Sequence, residues 1–374
     1  MDALTLTFGV LIGGFTVRRL AFVLAPPRGR SSPRAVDPPS VVIAVAARNE
    51  EERVGDLLSA LDRLEYDGPV GYLFVDDAST DRTPEILREW TSGRVDARLL
   101  VLPARQGKAA ALNTGLQEDA AEFVYCLDAD QQPAPDALAQ AAELTAGDER
   151  LGAVCGYRRP ITDRPAAAAR YAALEAWVHQ LVVLEGKDRL HLNPASSGGN
   201  TLLRRSALDA CGGFPVGALS EDTETTLAMI ARGWTTRFLR SAQADTQVPD
   251  SLDELRRQRA RWTVGLYRSS SHASSPESLV TALGYADRIV WLAAAGCAAV
   301  EWIPLWIPAG YFIGPLAAIP LALSRAGVGL AFPRYLAAAV QVFPLDVFWT
   351  LRTTAQRFLL PGSYRKLLDG WRDE

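Results

Sequence analysis

Cysteine and histidine are scarce in this chain. Four cysteines (Cys126, Cys155, Cys211 and Cys297) and three histidines are scattered through 374 residues with no CxxC pair. Neither a zinc cluster nor a disulfide framework is suggested, and a reducing cytosolic setting suits the free thiols. An excess of positive charge is also missing: the net charge of −4 provides no general field for a polyanion, so no nucleic acid partner is expected. Two phosphate-binding signatures are absent as well. The first apolar run leads into "AARNEEE" without GxGxxG, and no GxxxxGK[ST] loop occurs, so any phosphate must be held by other means. What the chain does have is 48% hydrophobic against 22% charged residues, enough for a sizeable core.

The apolar residues are unevenly spread. Residues 3–25, "ALTLTFGVLIGGFTVRRLAFVLA", approach the roughly 20 apolar residues of a membrane-spanning helix, although Arg18 and Arg19 interrupt them. A cleaved signal peptide would carry its charges ahead of the apolar stretch, so residues 1–27 are expected to be a retained transmembrane anchor. Arg28, Arg30 and Arg34 follow in a Pro/Ser-rich linker over 28–39 and place that side in the cytoplasm by the positive-inside rule. From Leu283 to Leu323 the chain is almost continuously apolar but for Pro304, Pro308, Pro315 and Pro320, long enough for two spans. Val328 to about Leu351, with Arg334 and Asp346, could form a third span or an interfacial helix. Residues 283–360 are therefore expected to be transmembrane or interfacial, and the tail 361–374, with Arg365, Lys366 and Arg372, cytosolic. A multi-pass protein of the inner (plasma) membrane with a cytosolic catalytic domain follows. The alternative is a soluble protein with an unusually apolar core.

The middle of the chain has a different rhythm. "SVVIAVAARNEEERV" is a β-branched run followed by a helix-like stretch, and "VGYLFVDDASTDRTPEIL" repeats it about 30 residues on, the spacing of a βαβ unit. "ARLLVLPARQGKAAALNTGLQ" and "AEFVYCLDADQQPAPDALAQAAEL" continue the alternation. An α/β domain over 40–250, with a Rossmann-like, mostly parallel sheet covered by helices, is predicted. Ligands of such sheets bind outside the carboxyl ends of the strands, where Arg48, Asn49, Glu50, Asp76, Asp77, Asp128 and Asp130 would gather.

Asp128 and Asp130 flank Ala129. In extended backbone, side chains two apart point the same way, and like charges so close raise one another's pKa unless a cation intervenes. Mg2+ or Mn2+ bound to a substrate diphosphate would serve. The competing interpretation is that one of the pair merely caps the following helix. Glu221 and Asp222, in "LSEDTETTLAMIARGW", sit at the start of another amphipathic segment, where the helix dipole alone favours acid. "LRRQRARWTVGLYRSS" crowds Arg256, Arg257, Arg259, Arg261 and Arg268 onto one helix within the interface segment 251–282. Contact with anionic lipid headgroups would explain the arginines, but not Gln258 or Trp262.

Taken in order, "ARNEEE", "VDDASTDRT", "LDAD", "SEDTE" and "QRARW", with "GKAAALNTGL" and "SSGGNTLLRRSAL" between them, resemble the membrane-embedded family 2 glycosyltransferases. That group includes cellulose, hyaluronan, chitin and poly-N-acetylglucosamine synthases. The likeness runs over about residues 40–268. It implies a GT-A fold and inverting transfer of a sugar from a nucleotide diphosphate, a UDP-sugar, to a glycan or lipid acceptor. It further implies that Arg48 and Glu50 line the base, Asp77 holds the uracil or ribose end, and Lys108 reaches the phosphates. Asp128 would contact the donor and, with Asp130, hold Mg2+ or Mn2+. Asp222 would be the general base, with Glu221 the weaker choice. Gln258 would bind the donor and Arg261 its diphosphate, while Trp262, Gly198, Gly199 and Asn200 would face the acceptor. A carboxylate base, a guanidinium fork on phosphate and an aromatic platform under a pyranose are each physically apt. "SED" replaces the family's more common Thr-Glu-Asp. Three outcomes stay open: a chain-extending synthase, a single-addition glycolipid synthase (diacylglycerol, ceramide-like or polyprenyl-phosphate acceptor), and an inactive scaffold subunit. The sugar, the acceptor and any partner subunits are not legible.

Overall fold

The computed structural model describes residues 2–29, 37–145, 147–162, 164, 166–218, 220–271, 276–360 and 362, with side chains outside 266–286. The linker arginines Arg30 and Arg34, the Arg268 side chain, and the tail residues Arg365, Lys366 and Arg372 lie outside that set. The chain forms two compact units. One comprises Pro26–Ile161 and Leu184–Gln247, the other Met1–Ala25, Thr162–Val183 and Val248–Glu374. The catalytic segment expected to run unbroken from 40 to 250 is thus interrupted. Residues 162–183 belong with the helices, because the Ala167–Val178 helix buries Ala168, Tyr171 and Ala172 with Leu255, Ala338 and Val342 of the same unit.

The first unit is built on an eight-stranded sheet. Its strands are β1 (Val41–Ala47), β2 (Val70–Asp76), β3 (Ala97–Val101), β4 (Phe123–Asp128), β5 (Gln131–Pro133), β6 (Leu151–Ile161), β7 (Thr201–Arg204) and β8 (Thr235–Gln247). Their order is β3-β2-β1-β4-β7-β6-β8-β5. The βαβ rhythm read from the sequence produces β3, β2, β1 and β4, all parallel. Beyond β4 the sheet becomes mixed: β7 is antiparallel to β4 and to β6, and β5 to β8, while β6 and β8 are parallel.

β1 shows why the sheet is covered on both faces. Its apolar residues alternate between two cores, with Val41, Ile43 and Val45 in one and Val42 and Ala44 in the other. On the first face they meet Val54, Leu57 and Leu61 of the Val54–Leu61 helix, with Leu87 and Leu138. On the second they meet Ala111, Leu112 and Leu116 of the Lys108–Leu116 helix, with Met229. Layering of this kind sends the loops that follow the parallel strands β1 to β4 to one rim of the sheet.

In the second unit, among the described residues, two helices are long and apolar enough to cross a membrane: Ala3–Leu24 and Trp306–Arg325. The apolar tract Leu283–Leu323, expected to be long enough for two spans, is shared by three helices, Pro276–Ala299, Trp306–Gly310 and Ile313–Arg325. The third segment is one helix, Phe332–Leu359, with Pro344 inside it. The charges that interrupt the first apolar run have a partner. Arg19 forms an ion pair with the buried Asp287 and donates to the Tyr311 hydroxyl at 3.0 Å, and Arg18 lies 3.8 Å from the same carboxylate. Pairing lowers the cost of burying these groups in apolar surroundings.

The Lys108–Leu116 helix packs tightly against β2 at Gly115. A Cβ built there would lie 2.6 Å from Val75 Cγ2 and 3.0 Å from Leu73 Cδ2. Gly115→Val is expected to destabilise the sheet unit by about 1–3 kcal/mol through overpacking, read as a lower thermal unfolding midpoint. An unchanged midpoint would mean that this contact is loose.

Candidate functional site

The loops at the carboxyl ends of β1, β2 and β3 are tied together by short polar contacts. The Asn49 side-chain oxygen accepts from the Thr80 amide at 2.8 Å, and the Glu50 amide donates to Thr83 Oγ1 at 2.8 Å. Asn49 and Ala78 take left-handed backbone, with φ of 54° and 58°, as sharp turns leaving a strand require. Asp77 is buried, and its two oxygens accept from the amides of Gln106 and Gly107 at 2.6 and 2.8 Å. It thereby fixes the loop that delivers Lys108 at the start of its helix.

Lys108 Nζ lies 2.6 Å from Asp128 Oδ1, 2.8 Å from Glu221 Oε1 and 3.9 Å from Asp222 Oδ2. Three carboxylates from two elements far apart in sequence thus share one ammonium group. The other Asp128 oxygen accepts from the Gly199 amide and from Gln131 Nε2, each at 3.1 Å. Gly199 is required by close approach: a Cβ there would sit 2.8 Å from the Asp128 amide nitrogen. Gly198, at φ 143°, packs against the Arg158 guanidinium, which donates to Ser197 Oγ at 3.0 Å. Asn200 is buried, and its amide is engaged within the sheet unit: it donates to the carbonyls of Tyr157 and Ala242 at 3.1 and 3.0 Å and accepts from the Tyr125 hydroxyl at 2.6 Å.

These contacts push the carboxylates in opposite directions. Burial pushes Asp128 up, but Lys108, Arg158 and the Gly199 amide outweigh it and hold Asp128 below the usual range. Burial lifts Asp222 to about 7, aided by Glu221 and Asp128 and opposed by Lys108 and Arg158. Asp130 rises to about 6 through burial and the neighbouring Asp128, and Glu50 to about 7 through burial and Asp130. Burial works against the charge on Lys108, yet Asp128, Asp222 and Glu221 together keep it firmly protonated.

β4 ends at Asp128, and Ala129 and Asp130 form a turn before β5. Alternation along an extended strand is therefore not what brings the two carboxylates together; the turn does. Neither caps a helix, since β5 intervenes before the Ala137–Thr145 helix. Glu221 and Asp222 do occupy the first turn of the Glu221–Ala231 helix, so the dipole contributes there as expected. Among the described residues no cluster of three or more His, Cys, Asp or Glu side chains is arranged to hold a metal. Asp130 is nevertheless a fitting oxygen donor: half-buried, in no ion pair among the described residues, and raised by its neighbour Asp128.

Lys108, Asp128, Asp222 and Gly199 meet in one place, with Glu50 and Asp130 electrostatically linked to it, and Arg48 is half-buried at the end of β1. Gln258, Arg261 and Trp262 lie on the Leu252–Ser271 helix of the other unit, Arg261 exposed and the other two half-buried. Two participants carry no sequence signal. Arg158 in "GYRRP" belongs to no family block, and Gln131, fully buried, bridges the Asp128 amide and carboxylate. Both become visible only when β4, β5 and β6 are assembled.

Acids raised above their unfolded values stabilise the fold fully below those values and lose that contribution as pH climbs through the folded ones. The unfolding midpoint is therefore expected to fall between about pH 4 and pH 7, the window of Glu50, Asp130 and Asp222. Asp222→Asn should flatten part of that decline in a thermal melt series. Parallel curves for the variant and the parent would refute the buried acid.

Residues 42–212 match the family model described as Glycosyl transferase family 2. The chain is 30% identical to a beta-monoglucosyldiacylglycerol synthase from Nostoc sp., over 67% of this chain and 54% of that protein. It is 29% identical to a poly-beta-1,6-N-acetyl-D-glucosamine synthase from Staphylococcus aureus, over 60% and 54% respectively. The chain spans about half the length of the curated relatives it matches. Among solved structures, the mannosyltransferase PcManGT from Pyrobaculum calidifontis, in complex with GDP-Man and Mn2+, aligns over 94% of this chain and 99% of its own at TM-score 0.62 and 21% identity. That likeness establishes the fold, the GT-A architecture expected from the sequence.

Proposed function

The chain carries a family 2 glycosyltransferase domain, and from that premise we propose that it transfers a sugar, with inversion, from a UDP-sugar to a growing polysaccharide or a lipid acceptor. The observation that carries this reading is the meeting of Asp222, Lys108 and Asp128 at the sheet rim, with Asp222 lifted to about 7. A carboxylate poised near neutrality suits a general base. Asp222 takes the proton of the acceptor hydroxyl as its oxygen attacks the anomeric carbon, and the nucleotide diphosphate departs with the bonding electrons. Lys108 and Arg261 offer positive charge to that leaving group. Arg48, Glu50 and Asp77 receive the nucleoside end, with Gln258 assisting at the diphosphate. Asp130, with Asp128, would hold Mg2+ or Mn2+, whose charge neutralises the diphosphate. Trp262 and the Gly198–Gly199 loop, supported from beneath by buried Asn200, face the acceptor.

Membrane residence is part of the same proposal. Side chains exposed on the helical unit include Val17, Leu24, Trp302, Leu305, Trp306, Leu316 and Phe348, an apolar surface suited to lipid with tryptophans of the type found at its boundary. Arg28 after the first apolar helix favours a cytosolic catalytic domain at the inner membrane. Likeness to both a polysaccharide synthase and a glucosyldiacylglycerol synthase keeps single addition to a lipid as the second reading. The intact acidic cluster speaks against an inactive scaffold.

Membrane-purified protein incubated with a panel of radiolabelled nucleotide sugars should yield labelled product, either polymeric or stopping at one or two sugars on a lipid; no transfer from any donor would reject the proposal. Asp222→Asn is expected to lower the transfer rate by about 10²–10⁴-fold while nucleotide-sugar binding survives; unchanged turnover would remove Asp222 as base. Asp130→Ala should weaken donor binding in Mn2+ by roughly 10–100-fold and leave binding in chelator unchanged. Equal sensitivity to Mn2+ in variant and parent, by calorimetry, would show that Asp130 does not serve the metal.

A further inference from the structure

The helical unit contains a buried set of charges that the proposed chemistry does not use. Asp346, on the Phe332–Leu359 helix, is fully buried: one carboxylate oxygen accepts from Arg288 Nη1 at 2.8 Å and from the Tyr171 hydroxyl at 2.7 Å, and the other lies 3.1 Å from Arg259 Nε in an ion pair. Glu175, on the Ala167–Val178 helix, pairs with Arg288 Nη2 at 2.8 Å and with Arg259. Two guanidiniums and two carboxylates from four helices thus balance one another. Such a group contributes little net stability compared with apolar packing, because desolvation offsets its Coulombic gain. What it supplies is geometry, since a guanidinium fork can satisfy two carboxylates only from a narrow range of positions.

One of the four members has a second contact. The Arg259 guanidinium carbon lies 5.0 Å from the centroid of the Trp262 ring, within range of a cation–π interaction. Arg259 is almost wholly buried, three residues before Trp262 on the same helix, where side chains at that spacing are neighbours. Arg288 has no such role: the aromatic ring near it is Phe343, at 6.0 Å.

We propose that Arg259 is a positioning residue. Held by ion pairs to Asp346 and Glu175, it holds the Trp262 ring and fixes the rotation of the Leu252–Ser271 helix, and so the direction in which Gln258 and Arg261 are presented. The inference rests on the roles proposed for Gln258, Arg261 and Trp262. Without Arg259, Trp262 loses the group that selects its rotamer, and the helix loses the pin that sets its angle.

Arg288→Met is the matched control, because it removes the same charge from the same quartet and leaves the Arg259–Trp262 contact alone. Both variants, as full-length protein in lipid nanodiscs, are expected to show similar drops in unfolding midpoint. Only Arg259→Met should raise the acceptor KM by roughly tenfold or more, equivalent to about 1.4 kcal/mol, with donor affinity changed by less than about threefold. Hydrogen–deuterium exchange over residues 252–271 should accelerate in Arg259→Met and not in Arg288→Met. Arg259→Lys keeps the charge but cannot span both carboxylates; it guards against a variant that fails to fold, and should retain most of the midpoint while still raising acceptor KM and exchange. Equal effects of the Arg259 and Arg288 substitutions on KM and exchange would overturn the proposal, as would acceptor kinetics and exchange in Arg259→Lys identical to the parent. Trp262→Ala separates the two layers of inference. If it leaves acceptor KM unchanged, the acceptor role of Trp262 is wrong, and the exchange data alone then decide whether Arg259 pins the helix.

Discussion

A single ammonium group shared by three carboxylates organises the sheet rim. Asp128, Glu221 and Asp222 come from a strand end and a helix start that the chain separates widely, and Lys108 brings them within reach of one another. Its charge does not serve them equally. Asp128 has the shorter contact together with the Gly199 amide and stays ionised, whereas Asp222 lies farther away and is left near neutrality. Similar carboxylates therefore acquire different protonation behaviour through burial, hydrogen bonding and the charges near each. The Gly199 amide and the Gln131 side chain hold the second oxygen of Asp128.

The two units meet the cost of polar groups in different ways. At the sheet rim, charge is left partly uncompensated, which is how a site prepared for a charged ligand is expected to look. In the helical unit the buried charges are matched: Arg19 with Asp287, and Arg259 and Arg288 with Glu175 and Asp346. A carboxylate or guanidinium in apolar surroundings persists only when paired. These pairs also join helices remote in sequence, so they set mutual orientation as well as neutrality.

Much of the sheet and of the site is legible in the residues alone. Alternating β-branched runs at βαβ spacing locate β1 to β4, and the acidic residues closing those runs put Asp77 and Asp128 at the correct rim. Strand alternation points to Asp130 for a reason that does not hold, since Asp130 lies in a turn; the turn itself creates the electrostatic proximity to Asp128. Asn200 follows two glycines in the chain, yet its amide serves the interior through Tyr157, Ala242 and Tyr125. The helix at 167–178 falls within the expected catalytic segment because an alanine-rich helix has no local mark of the unit it packs against.

By itself the sequence determined the first four strands and the helices between them, where the apolar tracts lie, and that ordered acidic blocks close those strands. Those properties follow from periodicity and from short-range side-chain chemistry, which act between near neighbours in the chain. Only the tertiary structure decided that Lys108 bridges Asp128 to Asp222, that Arg158 and Gln131 join them, and that Arg259 links Trp262 to two distant carboxylates. Interactions of that kind depend on distance and desolvation between residues brought together by folding, and no local pattern encodes either quantity.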